Sequence, residues 1–360
     1  MRILYIINLL EVGGAPKLLA DIVPFMGKEH EVNVLCLNRF SETDYSRLLK
    51  PYLIEDSWRL SEYNPLHILF IIKLIKQYDI VHVNLFPSLY WCAIAKIISF
   101  SKVKLVYTEH STHNRRRNRF IFKLLDRFIY HFYRKIAVIS RETGESLVAY
   151  NPKTKNKLVI ISNGIDCYVY RNAVSLNRRE LIPTIPENAK IILQVARFVP
   201  AKDQATVIRA MKKLPSDFYL LFAGDGFTRP EMESLASGLG VVSRVIFFGF
   251  RSDIPALIKT VDYVVVSSHW EGFGLACIEG MAGGKPVIVS NVSGLGSVAK
   301  DAAMLFEHGN DGELAEKIME VANQPELQKL LIEKGYARAM EYDISKTISH
   351  YEDMYEKQLP

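Results

Sequence analysis

Two glutamates, Glu271 and Glu279, occur in and directly after a glycine-bearing segment in the second half of the chain, within residues 267–279. A run of strand type ends near Ser267 and a helical pattern begins near Leu275, so a strand, a loop and a helix are expected in that order. The free N–H groups and the positive end of such a helix favour a phosphate. Glu271 then lies on the loop and Glu279 lies one turn inside the helix. Because carboxylates repel an anion, their expected partners are hydroxyl groups, those of a sugar for one and of a ribose for the other.

Two cations follow an earlier predicted strand of the same half. Arg197 stands directly after the strand at 190–196, and Lys202 comes after a short proline-containing turn. The fork of an arginine and the point charge of a lysine can clamp a diphosphate from opposite sides. Alone, such a pair is more typical of solvated surface. Its occurrence in one domain with the glutamate-bearing loop makes the diphosphate interpretation specific.

Glycines and polar residues also follow predicted strands in the first half. Gly13 and Gly14 come after the first strand, where glycine allows a ligand to approach the backbone closely. Glu109 and His110 close another strand, and Asn84 ends the strand before it. Ligands of doubly wound sheets bind at the carboxyl ends of the strands, which favours a site role for His110 over a structural one.

Alternating strand and helix patterns surround these residues and must position them. In the first half, strands are predicted at 2–9, 31–37, 79–84, 103–108, 135–139 and 158–161, and helices at 15–26, 65–77, 88–99, 119–133 and 142–149. In the second half, strands are predicted at 190–196, 218–223, 245–248, 263–267 and 286–289, and helices at 205–212, 229–239, 254–260, 275–282 and 312–323. Residues 163–188 follow neither period and are predicted to be a linker, while 326–359 is predicted to be helical with an interruption near 342–344. This alternation indicates an α/β architecture with two parallel, doubly wound sheets.

The composition is that of an ordinary globular protein. With 49% hydrophobic and 23% charged residues among 360, the chain is long enough for two domains and is neither disordered nor collagen-like. The four cysteines are scattered without a metal-ligand spacing, which argues against a disulfide framework or a zinc site and favours a reducing compartment, the cytoplasm. The longest apolar stretches, 66–75 and 89–100, fall short of the ~20 residues that a membrane-spanning helix needs.

Positive charge is concentrated in the first half. Residues 1–170 hold 24 Lys and Arg against 15 Asp and Glu, residues 171–360 hold 21 against 24, and residues 102–157 alone hold 14 against 4. Basic and apolar residues mixed on one predicted helix favour an interfacial helix at an anionic membrane surface, and the alternative is a core helix with a solvated basic flank. No recognised nucleic-acid module occurs, so nucleic acid is not an expected partner. The basic residues of this predicted membrane or anion patch are Arg115, Arg116, Arg117, Arg119, Lys123 and Arg127.

Taken together, these motifs resemble those of the retaining nucleotide-sugar glycosyltransferases of the GT-B fold, the family-four type. The likeness covers nearly the whole chain and its motifs occur in the family's order. It rests on the pairs Glu271…Glu279 and Arg197…Lys202, on Phe-Ala-Gly-Asp-Gly at 222–226, on Gly-Phe at 249–250 and on Met-Ala-Gly-Gly-Lys-Pro-Val at 281–287. The resemblance implies two Rossmann-like domains with a cleft between them. They are an acceptor domain at 1–165, joined by a returning helix at 343–360, and a nucleotide-sugar donor domain at 166–342.

For the second domain, the resemblance implies a donor held through its diphosphate, its ribose, the transferred sugar and the base. The diphosphate is assigned to Arg197 and Lys202 with the amides of Gly274 and Leu275. The ribose is assigned to Glu279 and the transferred sugar to Glu271. The base is assigned to the backbone at Phe250 and Arg251. For the first domain it implies a glycine loop near the donor phosphate and an acceptor side. Within the loop, Gly14 is assigned to donor binding. The residues assigned to the acceptor side are Gly13, Asn84, Glu109 and His110. The candidate catalytic residues are His110, Arg197, Lys202 and Glu271.

The activity implied by the resemblance is transfer of a hexose or N-acetylhexosamine from a nucleotide diphosphate to a glycan hydroxyl, with retention of the anomeric configuration. UDP is the expected nucleotide on family frequency. The segment 108–117 resembles transferases of bacterial capsule, exopolysaccharide and O-antigen pathways, whose acceptors are polyprenyl-diphosphate-linked, which implies a peripheral location on the inner face of the plasma membrane. No Asp-x-Asp pair occurs in the sequence, so neither a catalytic metal nor another cofactor is expected. The alternatives are a sugar-nucleotide epimerase on the same fold and a non-catalytic scaffold protein that binds nucleotide sugars.

Overall fold

The computed structural model describes residues 1–11, 13–38, 44–54, 60–112 and 115–358. The chain divides into two compact units. Unit 1 comprises Met1–Gly164 and Ile344–Pro360, and unit 2 comprises Ile165–Asp343. Within the described ranges, no helix combines the length and apolar character needed to cross a membrane. The side chain of Arg115, which the sequence assigns to the anion patch, lies outside the described residues.

Unit 1 is built on a sheet whose described strands all pair in parallel, in the order β3-β2-β1-β4-β5-β6-β7. These strands are β1 Arg2–Ile7, β2 Glu31–Cys36, β3 Leu53–Ile54, β4 Ile80–Asn84, β5 Lys104–Glu109, β6 Tyr133–Val138 and β7 Leu158–Ile160. The helices between them are α1 Gly14–Glu29, α2 Asp44–Leu49, α3 His67–Ile75, α4 Ser88–Ser99, α5 Phe120–Ile129 and α6 Arg141–Tyr150. The central strands are buried on both faces, which is why they read as nearly continuous apolar runs.

Unit 2 repeats this arrangement with parallel strands in the order β10-β9-β8-β11-β12-β13. Its strands are β8 Lys190–Val195, β9 Phe218–Ala223, β10 Val245–Phe247, β11 Tyr263–Val266, β12 Val287–Ser290 and β13 Met304–Phe306. Its helices are α7 Cys167–Asn172, α8 Arg178–Leu181, α9 Gln204–Met211, α10 Arg229–Gly238, α11 Ile254–Thr260, α12 Leu275–Ala282, α13 Leu295–Ala299, α14 Asp311–Asn323 and α15 Pro325–Met340. The strand order reverses beside β8, which opens a crevice at the carboxyl ends of the strands in folds of this kind.

The last helix, α16 (Ile344–Glu356), packs on unit 1. The Tyr355 hydroxyl lies 3.0 Å from the Tyr5 hydroxyl and also contacts Nδ1 of His82. The Tyr351 hydroxyl lies 3.2 Å from Oγ1 of Thr108, which in turn contacts Nε2 of His82 at 2.6 Å. Burial lowers the pKa of His82 to about 3, so its imidazole is neutral at pH 7. This buried polar network fixes the returning helix to strands of unit 1.

The predicted α/β class with two parallel sheets is confirmed, and the errors are local. The segment 163–188, predicted to be a linker, contains α7 and α8, and Cys167 and Tyr170 of α7 are buried in unit 2. Its periodicity was missed because α7 has six residues and α8 has four, fewer than two helical turns each. The short edge strands β3 and β13, of two and three residues, were missed for the same reason.

Candidate donor site

The loop after β11 carries Glu271, and helix α12, which follows this loop at the carboxyl edge of the unit 2 sheet, carries Glu279. Gly274, directly before α12, has a φ of 93°, in the left-handed region that favours glycine. A Cβ at this position would stand 2.5 Å from Cδ1 of Leu295. Because glycine has no side chain, the first amides of α12 receive no side-chain cap. These amides, including that of Leu275, can therefore donate to a phosphate.

Glu271 and Lys202 come together in the structure. Nζ of Lys202 donates to Oε2 of Glu271, and Oγ of Ser268 donates to the same oxygen at 3.2 Å. The Lys202 turn is tied to the end of β11, since Oγ of Ser267 donates to the Lys202 carbonyl at 3.0 Å and Nε2 of Gln194 donates to it at 2.9 Å. A diphosphate bound to Lys202 would compete with Glu271 for the ammonium and free that carboxylate for a hydroxyl group.

Arg197 lies two residues beyond β8, at the same edge of the sheet, with an exposed side chain. Its carbonyl accepts a hydrogen bond from Nε2 of Gln204 at 2.9 Å. The next residue, Phe198, donates its N–H to the Asp225 carbonyl at 2.9 Å. The adjoining Gly226 has a φ of 155°, and a Cβ there would stand 2.3 Å from the Phe198 carbonyl oxygen. The backbone of the Arg197 loop is therefore fixed while its guanidinium stays available to a ligand.

Glu279 points into the interior of unit 2 and is 5% exposed. The hydroxyl of Tyr170, on α7, donates to its Oε1 at 2.8 Å. Sequence reasoning missed Tyr170 because its segment was predicted to be a linker. The sequence feature that could have indicated this helix is Asp166, a residue type typical of helix starts. The side chain of Asp166 accepts a hydrogen bond from the Val169 N–H and caps α7. Tyr170 therefore holds one carboxylate oxygen of Glu279 in place.

The predicted base-binding segment follows β10. The φ of Gly249 is 70°, and its carbonyl accepts from the Gly224 N–H at 2.7 Å. Phe250 is 43% exposed. Arg251 donates from Nε to Oδ1 of Asp253 at 2.7 Å and from Nη2 to Oδ2, and these bonds lower the pKa of Asp253. The side chain of Arg251 is thus committed to Asp253, which leaves the backbone and the Phe250 ring for a ligand.

In unit 1, His110 and Asn84 lie side by side after β5 and at the end of β4. Nε2 of His110 lies 2.9 Å from Oδ1 of Asn84, and burial lowers the pKa of His110 to about 4. The imidazole is therefore neutral at pH 7. Among the described residues, Nδ2 of Asn84 is buried without a hydrogen-bond partner. Gly13 and Gly14 begin α1 at the same edge, and the Gly13 carbonyl accepts from the Lys17 N–H at 3.1 Å.

Two residues of the predicted anion patch, Arg116 and Arg117, are buried in ion pairs. Arg117 is paired with the buried Glu109 at 2.5 Å, and Nε of Arg116 lies 3.3 Å from the fully buried Asp126. Both guanidinium side chains are less than a tenth exposed, so their assignment to an exposed patch was wrong. The physical reason is that each buried carboxylate needs a counter-charge. The remaining described members, Arg119, Lys123 and Arg127, are exposed.

Comparison with known proteins places the chain among sugar transferases. The family model described as Glycosyltransferase Family 4 matches residues 12–168, and the model described as Glycosyl transferases group 1 matches residues 179–338. An uncharacterised glycosyltransferase of Methanocaldococcus jannaschii is 30% identical over 207 residues, 56% of this chain and 54% of the relative. The chain thus spans about half the length of that relative.

Two further likenesses extend over more of the chain. An Escherichia coli α-1,3-galactosyltransferase, whose name gives UDP-Gal as donor and GlcNAc-diphosphoundecaprenol as acceptor, is 24% identical over 290 residues, 76% of this chain and 75% of the relative. The crystal structure of HepE from Anabaena in complex with UDP-glucose has a TM-score of 0.85 at 20% identity, covering 99% of this chain and 100% of that chain. Because a glycosyltransferase family model matches each half and the fold is shared, the chain belongs to the glycosyltransferases of the family 4, group 1 type.

Proposed function

We propose that this protein transfers a sugar from a UDP-sugar to a hydroxyl group of a lipid-linked glycan in bacterial surface polysaccharide synthesis, with retention of the anomeric configuration. The observation that carries the proposal is the convergence at one sheet edge of Lys202, Glu271 and the uncapped start of α12. The UDP-glucose bound by HepE supports the nucleotide. The acceptor in the name of the E. coli relative supports the lipid-linked glycan.

In this proposal the diphosphate is the leaving group, and fixed positive groups stabilise it. Arg197, Lys202 and the amides of α12 supply that charge without a metal ion, so chelating agents should leave turnover unchanged. Glu279, held by Tyr170, accepts hydrogen bonds from the ribose hydroxyls. Glu271, released from Lys202 when the diphosphate binds, accepts from a hydroxyl of the transferred sugar. The neutral His110 of unit 1 contacts the acceptor.

The partner proposed for helix α5 is an anionic membrane surface. The apolar face of α5 is exposed over residues at positions i, i+1, i+4, i+5 and i+8 of the helix, which share one side. These residues are Phe120, Ile121, Leu124, Leu125 and Phe128, from 43% to 76% exposed. The opposite side, with Asp126 and Ile129, is buried. Exposed apolar residues beside Arg119, Lys123 and Arg127 favour the interfacial helix over the core helix with a solvated flank.

The donor site is tested by thermal unfolding with UDP-, GDP-, ADP- and dTDP-sugars. A ligand at a hundred times its Kd stabilises the protein by about 2.7 kcal/mol. We expect UDP-sugars to raise the melting temperature of the wild type but not of Glu279→Ala or Arg197→Ala. Matched controls are Glu316→Ala and Arg209→Ala, whose side chains are exposed on α14 and α9. If no nucleotide sugar stabilises the wild type, the donor assignment is wrong.

Transfer is tested with the donor so identified and a membrane lipid extract. Radiolabel from the sugar should appear in the lipid fraction. Conversion of the donor without any acceptor would support the epimerase instead, and donor binding without turnover would support the scaffold protein.

For the membrane partner, flotation with phosphatidylglycerol vesicles should fall for the triple variant Phe120→Ser, Leu124→Ser, Phe128→Ser. It should not fall for the equally exposed control set Val174→Ser, Phe227→Ser, Val242→Ser.

A further inference from the structure

A cavity of about 1090 Å³ opens at the amino ends of strands β5, β6 and β7 in unit 1. The candidate site residues of this unit, His110 and Asn84, stand at the carboxyl ends of β5 and β4. In a parallel sheet the two ends of the strands form opposite edges. The cavity is therefore separate from the candidate site of unit 1.

The lining of this cavity is strongly basic. Among the described residues that line it, one carboxylate, that of Asp353, faces seven Lys and Arg side chains. Asp353 is 3.4 Å from Lys357, so even this carboxylate is shared with one of the cations. The seven are Lys96, Lys102, Lys104, Arg134, Lys135, Lys157 and Lys357, with His131 and His350 beside them. Such a concentration of one sign raises the local concentration of anions.

Two of the lining lysines, Lys96 and Lys157, are half-buried, and we call them the wall of the cavity. Nζ of Lys157 donates to the carbonyls of Tyr130, His131 and Tyr133 at 2.8–3.1 Å, and Nζ of Lys96 donates to the Val103 carbonyl at 2.8 Å. These bonds fix the ammonium groups without neutralising them. Desolvation and the neighbouring Arg134 lower the pKa of both lysines. The positive charges of the wall therefore repel one another, which a bound anion would relieve.

Three other lining residues, which we call the rim, are Lys102 and Arg134, which are exposed, and Lys135, which is half-buried. Within the part of the chain that the structure describes, these three side chains make no ion pair or hydrogen bond. Three unpaired cations around a cavity with a charged wall form a receptor for a multiply charged oxyanion. We propose that this cavity is an anion-binding site that takes phosphate groups.

Two sources of phosphate fit this chemistry, a soluble phosphate compound and the head groups of an anionic membrane. The second is favoured by the neighbouring apolar surface. Phe132, which lines the cavity, packs its ring 5.1 Å from that of Phe128 on the exposed face of α5. A membrane surface that buries this face would bring lipid phosphates to the rim.

Both sources are tested with the full chain and one triple variant, Lys102→Gln, Arg134→Gln, Lys135→Gln. The control variant, Arg209→Gln, Lys212→Gln, Lys329→Gln, removes equal charge from exposed positions of unit 2. Calorimetry measures binding of pyrophosphate. Flotation measures binding to phosphatidylcholine vesicles with and without phosphatidylglycerol. Unfolding midpoints of both variants in the absence of anions verify that they are folded.

We expect the rim variant to bind at least one of the two probes about tenfold more weakly than the wild type, and the control variant to bind both as the wild type does. A loss confined to pyrophosphate identifies a soluble ligand, and a loss confined to phosphatidylglycerol vesicles identifies the membrane. The proposal is overturned if the wild type binds neither probe, or if the rim and control variants lose affinity equally. None of these outcomes depends on sugar transfer, so the site can fail while the proposed activity stands.

Discussion

At the level of single residues, the pairing of Glu279 with Tyr170 is the feature of the proposed donor site with the clearest consequence. The Tyr170 hydroxyl orients a carboxylate that is 5% exposed. A ligand that approaches Glu279 thus meets a carboxylate with one oxygen already held by Tyr170. If the proposed role of Glu279 holds, the ordering of this carboxylate before binding lowers the entropic cost of binding the donor.

Replacing Tyr170 with Phe should therefore weaken donor binding and lower stability. A hydrogen bond to a charged group contributes about 1.5–3 kcal/mol, and we expect the free energy of unfolding to fall within that range. Urea unfolding measures the stability, and titration with the donor measures the affinity. Tyr168→Phe is the control, because Tyr168 lies on the same helix and is 75% exposed. An equal effect of both substitutions would contradict a role for the Tyr170–Glu279 bond.

The neutral His82 gives a prediction about pH. Its pKa is about 3 in the folded protein and about 6.5 in the unfolded chain. Below pH 6.5 the unfolded chain therefore binds a proton that the folded protein does not bind until about pH 3. The contribution of His82 to stability is present above pH 6.5 and is lost as the pH falls towards 3.

Replacing His82 with Gln should make the acid loss of stability shallower between about pH 6.5 and about pH 4, at some cost in stability at pH 7. Urea midpoints measured across this range test it. The control is His350→Gln, at an exposed position of α16. A pH profile for His82→Gln parallel to that of the wild type would show that another group controls the acid transition.

At the level of elements, the start of helix α12 depends on Gly274. Its left-handed φ disfavours any residue other than glycine, and a Cβ at this position would stand 2.5 Å from Cδ1 of Leu295, so the leucine side chain would have to move. The substitution Gly274→Ala should lower stability by about 1–3 kcal/mol and weaken donor binding, because the first amides of α12 shift. Thermal unfolding with and without the donor measures both effects.

The matched substitution is Gly238→Ala, in helix α10. A Cβ at Gly238 meets nothing within 4 Å. Alanine should therefore be tolerated there and raise stability by about 0.5 kcal/mol, mainly by restricting the unfolded chain. If both alanines act alike, the conformation of Gly274 does not determine the helix start.

The attachment of α16 to unit 1 is a second feature at this level. The Tyr355 hydroxyl bonds both Tyr5 and His82, and all three side chains are buried. Tyr355→Phe would leave two buried polar atoms without this partner, so we expect a loss of about 2–3 kcal/mol in urea unfolding. The exposed Tyr63→Phe should change stability by less than about 0.5 kcal/mol. Equal losses would show that this network does not hold α16.

At the level of the whole molecule, charge divides between the two halves of the chain. The first 170 residues hold the basic excess, while the remainder holds 21 Lys and Arg against 24 Asp and Glu. Binding to phosphatidylglycerol vesicles should weaken as salt rises, since the screening length falls from about 10 Å at 0.1 M to about 3 Å at 1 M. The apolar face of α5 should leave a residual, salt-resistant fraction. Flotation across a salt series measures both, and binding unaffected by salt would contradict the electrostatic contribution.

The sequence by itself determined the two parallel sheets, because a strand buried on both faces must be a run of apolar residues whatever its neighbours are. It also located Glu271, Arg197 and His110 after strands, since that position follows from local order along the chain. The length of the repeating pattern explains both why the fold class was predicted and why the short edge strands β3 and β13 were missed. A pattern is detectable only where it repeats.

Only the tertiary structure decided which charges meet. Local sequence could not show that Arg117 neutralises the buried Glu109, or that Glu271 pairs with a lysine 69 residues away. Nor could it show that Tyr355 bonds a histidine 273 residues earlier. The basic cavity joins strand starts with the end of α16 and exists only when the sheet is assembled. Hydrophobic burial follows a local period, whereas compensation of a buried charge requires whichever partner the folded chain brings near, and this is why the sheets were predictable and the ion pairs were not.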